Sequence, residues 1–141
     1  MRSTKGFVSL QALALALGAG LICSSWLIGN RAVAQSQPIS VFFDFGRSDL
    51  NSSAKQIVAV VKDVLKEGVR ITIAGHSDTA ETDPAKLSQA RALSVAKAFV
   101  DIGLPIGAQL TIVGKGATEL SKQTGPKVRE PVNRYAAITI N

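Results

Sequence analysis

IAGHSDTAETDPAKLSQARALSV, residues 73–95, passes from an apolar run through a polar loop into a helical pattern. In front of it, Val69 to Ala74 alternates: Ile71 and Ile73 fall on one face and Arg70 and Thr72 on the other. That alternation predicts a half-buried strand with helices on one side only. Gly75 to Asp83 is polar loop. Asp83-Pro84 then opens a helix, with Asp as N-cap and Pro at the first helical position. Ala92, Val95, Ala96, Phe99 and Ile102 form its apolar stripe, and Gly103 ends it.

The flanks extend the pattern. Ile39 to Phe45 is apolar and aromatic and reads as a strand, followed by a turn at Gly46-Arg47-Ser48-Asp49. A helix is expected from about Ser52 to Glu67, with Ser53 and Gln56 as a capping box and Gly68 as its stop. Its expected stripe is Ile57, Val60, Val61, Val64 and Leu65. Leu110 to Val113 is a third strand, Gly114 to Val132 a loop with room for one short helical turn, and Tyr135 to Ile140 a fourth strand. The order β-α-β-α-β-β predicts an α+β, two-layer α/β sandwich: a mixed four-stranded sheet with two main helices on one face.

The 141 residues suffice for one domain, and with 46% hydrophobic and 18% charged residues the chain can bury a core. One cysteine, Cys23, and one histidine, His76, exclude a disulfide framework and any polycysteine or polyhistidine metal site. Residues 1–34 read as a signal peptide: basic Arg2 and Lys5, an uncharged stretch from Phe7 to Gly29, then Ala32-Val33-Ala34 as a cleavage pattern. An uncleaved membrane anchor over about residues 7–29 is the alternative, since that stretch can span a bilayer. Ile22 before Cys23 disfavours lipid attachment, which wants a small residue there. Residues 35–38 form a short leader and residues 39–141 the domain. Without the first 34 residues the chain keeps 13 Lys and Arg against 10 Asp and Glu, a net charge of about +3. That is well short of a nucleic-acid-binding composition.

Five ordered pieces of sequence stand out: Val41-Phe42-Phe43-Asp44-Phe45, Gly75-His76-Ser77-Asp78, Leu87-Ser88-Gln89-Ala90-Arg91-Ala92, Val113-Gly114-Lys115-Gly116 and Asn133-Arg134. Together they resemble the OmpA-like family of peptidoglycan-associating domains, the C-terminal domains of OmpA, MotB and Pal. The resemblance runs from about Ile39 to Asn141. It implies non-covalent binding of the peptidoglycan stem peptide through its diaminopimelate residue, with no cofactor and no enzymatic activity. The family's key Asp falls on Asp78 and its key Arg on Arg91, with Phe43, His76, Asn133 and Arg134 in support.

The chemistry suits the ligand. Diaminopimelate ends in an ammonium and a carboxylate on one carbon, so a receptor needs an anion and a cation held close. A guanidinium offers a planar fork to a carboxylate. Three departures stand out. Asp78 and Arg91 are 13 apart, about two fewer than in the family; Pro84 stands where the family has Asn; and Asn133-Arg134-Tyr135 replaces Asn-Arg-Arg.

Other constellations give way. His76, Ser77 and Asp78 are consecutive and cannot align as a catalytic triad. Asp78, Glu81 and Asp83 resemble a calcium loop but lack the glycine and terminal Glu of an EF-hand. Gly114-Lys115-Gly116 lacks the third glycine of a dinucleotide fingerprint, and a tight turn explains it. A paired-carboxylate or metal site for a wall hydrolase is not found.

The expected partner is peptidoglycan in the periplasm, with other envelope proteins alongside. Membrane contact arises only through the N-terminal segment if it stays uncleaved. The alternative is a periplasmic domain of the same fold that binds a protein partner or self-associates. An open cleft between Asp78 and Arg91 favours the first reading, and a buried Arg91 salt bridge the second.

Overall fold

The computed structural model describes residues 37–141. The expectations for a signal peptide or anchor, and for Cys23, lie outside the described residues. The elements are β1 (Ile39–Phe42), α1 (Ser52–Asp63), β2 (Arg70–Gly75), α2 (Pro84–Asp101), β3 (Gln109–Gly114), a 3-10 turn (Pro131–Asn133) and β4 (Tyr135–Ile140). They follow the predicted order. The sheet runs β1-β4-β2-β3. β2 and β3 are parallel, and β4 pairs antiparallel with both β1 and β2. The sheet is therefore mixed, as expected, and α2 is the crossover between the two parallel strands.

β2 buries Ile71 and Ile73 and leaves Arg70 exposed, as its alternation requires. Val41 of β1 and Ala136 and Ile138 of β4 join them on the covered face. From α2, Ala92, Val95, Ala96 and Phe99 close the core from above. Ile102, taken as part of that stripe, sits at the C-cap and is 41% exposed.

α1 departs from its expected register. Its buried residues are Ala54, Val58 and Val61, while Val60 and Val64 are about two-thirds exposed. The stripe runs Ala54, Val58, Val61 at i, i+4, i+7, with the expected Ile57 and Leu65 packed at its edge, so that Val61, Ile57 and Leu65 hold from the expected set and Val60 and Val64 do not. The helix also starts differently: the Asn51 side chain accepts from the Ala54 amide at 2.8 Å, so Asn51 and not Ser53 is the N-cap. It stops at Asp63, four residues early, and Gly68 takes its positive φ of 70° in the turn before β2.

Gly75 ends β2 where α2 crosses closest. A β-carbon there would stand 1.9 Å from the Ser88 carbonyl oxygen. The absence of a side chain lets the helix backbone rest on the strand end. This sets the height of Arg91, one turn further along, above the loop that follows Gly75.

Candidate functional site

The site gathers at the end of the sheet where β1, β2 and β3 finish and β4 begins. Backbone bonds knit it: the His76 amide donates to the Tyr135 carbonyl at 2.7 Å, and the Ser77 amide to the Gly116 carbonyl at 2.9 Å. The Ser88 hydroxyl accepts from the Gly116 amide at 2.8 Å and donates to the Ala85 carbonyl, tying the first turns of α2 to the loop after β3. The Asp83 carboxylate caps α2 by accepting from the Lys86 amide, with Asp83 itself at φ 51°, a left-handed conformation that Asp tolerates.

Arg91 is fully buried. Its Nε donates to the Arg47 carbonyl at 2.9 Å. One terminal nitrogen donates to the His76 carbonyl at 2.9 Å, to the Ser77 hydroxyl at 3.4 Å and to Glu81 Oε2 at 2.8 Å. The other donates to the Asp44 carbonyl at 3.1 Å and to Glu81 Oε1 at 2.5 Å. The guanidinium carbon lies 5.3 Å from the Phe43 ring centroid, within cation–π reach. All faces of the guanidinium are thus satisfied, as a buried charge demands.

Glu81 is the partner that the sequence did not single out. Its side chain is fully buried, and both carboxylate oxygens meet Arg91 as a fork on a fork. Oε1 also accepts from the Gly46 amide at 2.8 Å and Oε2 from the Asp78 amide at 3.1 Å. Two peptide amides and two N–H groups of the one Arg91 guanidinium form a four-donor cradle for one carboxylate. The sequence offered Glu81 only as part of an acidic loop. Its contact with Gly46, 35 positions away, depends on the turn after β1 folding over the loop after β2.

Asp78 is also fully buried, and it faces a different cation. Its Oδ1 accepts from the Ala80 amide at 3.0 Å. Its Oδ2 accepts from the Glu130 amide and from Arg134, each at 3.2 Å. The structure thus brings Asp78 and Arg91 to the same loop without pairing them: Arg91 is bound to Glu81, and Asp78 to Arg134. Arg134 also reaches the Phe43 carbonyl through Nε at 3.2 Å.

The other expected residues hold the frame. Asn133 is buried and pins the neighbouring loop through both ends of its amide, accepting from the Lys122 amide and donating to the Lys122 carbonyl. His76 stacks on Tyr135 with ring centroids 4.2 Å apart, and its Nδ1 lies 3.1 Å from the Glu119 carbonyl. Burial pushes the imidazole pKa down and the Tyr135 phenol up. His76 is thus a packed, hydrogen-bonded histidine at a strand end.

An open groove of about 380 Å³ borders the cradle, lined by Phe42, Phe43, Asp44, Pro131, Val132 and Arg134. A larger one, about 500 Å³, lies between α1 and α2 and touches none of these site residues.

Comparison with known proteins agrees with this architecture. A family model described as the OmpA family matches residues 42–134. An outer membrane protein of Gluconacetobacter diazotrophicus is 35% identical over a 111-residue alignment that covers 72% of this chain and 29% of that protein. The chain therefore spans under a third of that relative's length. The crystal structure of the peptidoglycan-associated lipoprotein from Burkholderia pseudomallei superposes with a TM-score of 0.64 at 24% identity, covering 72% of this chain and 89% of that one. The C-terminal domain of Helicobacter pylori MotB gives 0.63 at 17% identity, covering 73% and 85%. At these identities the structural likeness is one of fold.

Proposed function

This chain belongs to the OmpA family, and from that premise we propose that it is a non-enzymatic domain of the cell envelope that holds peptidoglycan by non-covalent contacts. The single observation that carries this reading is the cradle built on Arg91, where four donors converge on one carboxylate. Stem peptides end their diaminopimelate side chain in such a group, and the groove at Phe43 and Arg134 gives a peptide room to lie beside it. Asp78, with its carboxylate on Arg134, is the anion assigned to the ligand ammonium. Family membership and a structural neighbour named as a peptidoglycan-associated lipoprotein support the ligand class. A relative named as an outer membrane protein supports the location, the periplasmic side of the envelope.

A second reading is favoured by the feature that distinguishes it, a buried Arg91 salt bridge in place of an open cleft between Asp78 and Arg91: both charges are already paired within the chain and shielded from solvent. On this reading the charges hold the loops, and the domain binds a protein partner or another copy of itself.

Co-sedimentation of the protein, as recovered from envelopes, with purified sacculi separates the two. Pelleting that free diaminopimelate competes away supports wall binding. Protein that stays in the supernatant at all wall concentrations supports the second reading.

A further inference from the structure

We propose that Glu81 is a built-in occupant of the Arg91 carboxylate seat, and that an incoming ligand carboxylate binds by displacing it. This deepens the wall-binding reading and rests on it for the identity of the ligand, though not for the existence of the seat.

The hydrogen-bond partners of Arg91 are of three kinds. The carbonyls of Asp44, Arg47 and His76 belong to the backbone and stay in place. The Ser77 hydroxyl is a long contact at 3.4 Å whose own proton goes to the Pro84 carbonyl. Only Glu81 is a charged side chain that can rotate away, and its departure would free the two N–H groups that form the fork. A ligand entering from the groove finds no other donor on Arg91 to claim.

The seat is indifferent to the source of its carboxylate. Gly46, Asp78 and Arg91 would donate the same four bonds to a ligand that they donate to Glu81. Exchange therefore replaces one anion with another beside a buried cation. It avoids the unpaired buried charge that makes simple opening so unfavourable. It also sets a specificity: a ligand without a carboxylate cannot take the seat.

The chain around Glu81 permits the exchange. Among the described residues, every hydrogen bond of Glu81 runs through its carboxylate. The loop is anchored on either side instead. Thr79 is tied to the Gly125 and Val128 carbonyls and to the Val128 amide, and Asp83 caps α2. Glu81 can leave without breaking a strand or helix bond.

Internal competition lowers apparent affinity by the fraction of molecules with the seat open. The test compares wild type with Glu81→Ala and Glu81→Asp, the latter keeping the charge on an arm one methylene shorter. Two readouts are taken: thermal stability in sodium acetate against sodium chloride at equal ionic strength, and affinity for free diaminopimelate and for sacculi. Acetate should raise the melting temperature of Glu81→Ala and leave wild type unmoved, since its seat is filled. Diaminopimelate should bind both variants more tightly than wild type, by about tenfold or more for Ala, and Arg91→Ala should abolish the gain. If Glu81→Ala does not fold without acetate, Glu81→Asp carries the affinity comparison. Variants that respond to acetate and bind diaminopimelate as wild type does would overturn the proposal. Acetate rescue with no binding of diaminopimelate or sacculi by any form would keep the seat and overturn the wall-binding reading instead.

Discussion

The Ser88 carbonyl oxygen and the α-carbon of Gly75 are so close that a methyl group on Gly75 would overlap the oxygen at 1.9 Å. The neighbouring atoms are helix backbone, which cannot rotate aside. Gly75→Ala should lift α2 from the strand end and destabilise the domain by about 1–3 kcal/mol or more. Denaturant melts measure this, and an unchanged midpoint would contradict the packing described.

Arg91→Ala strands the Glu81 carboxylate, buried with two amides and no cation. Breaking a buried pair by removing one partner costs about 3–5 kcal/mol. Because Arg91 and Glu81 are both fully buried, the change reaches the fold as well as any ligand. Arg91→Lys should recover part of the loss, since an ammonium keeps the charge but cannot serve the fork and the three carbonyls together.

His76 gives a pH signature. Burial holds its folded-state pKa below the ordinary value of about 6.5. The folded state therefore binds its proton less readily than the unfolded state does. The stabilising contribution is full above pH about 6.5 and is lost as pH falls through that value towards the folded pKa. Unfolding free energy measured from pH 8 to 5 should decline on the acid side, and His76→Gln should flatten that decline.

Phe99 is fully buried at the centre of the α2 stripe. Phe99→Ala should cost about 3–5 kcal/mol. A loss under about 1 kcal/mol would contradict its position in the core.

Wall binding separates a seat from diffuse charge attraction. Asp78→Asn should weaken sacculus binding, because it removes the anion held between Arg134 and the Ala80 and Glu130 amides; since both oxygens accept, its amide nitrogen also meets a donor, and binding is compared at a temperature where melts show the variant folded. A charge removal at exposed Lys66 should leave binding unchanged. Equal losses from both would leave only general attraction to an anionic polymer, which salt would also suppress.

What the sequence made legible follows from how local each signal is. β2 and α2 were readable because alternation, an Asp-Pro start and a four-residue apolar stripe are all local. α1 was harder: apolar residues lie on more than one of its faces, and the choice falls to what packs opposite. Ala54, too small to draw notice, takes the inward place, and Val60 and Val64 face outward. The positions of Asp78 and Arg91 were readable, but their partners were not. Glu81 meets Arg91 because a glycine turn 35 residues earlier supplies an amide to the same oxygen that Arg91 binds. No spacing within residues 73–95 encodes that turn.

The sheet order also governs when the domain can exist at all. β4 follows the other three strands in the chain yet lies between β1 and β2, pairing with both. Until Tyr135 to Ile140 is available, β1 has no strand to join, and β2, α2 and β3 form a βαβ unit whose β2 edge stands unpaired. Completing the sheet therefore waits for the last strand of the domain and joins residues far apart in sequence, pairings that slow folding by the measure of contact order.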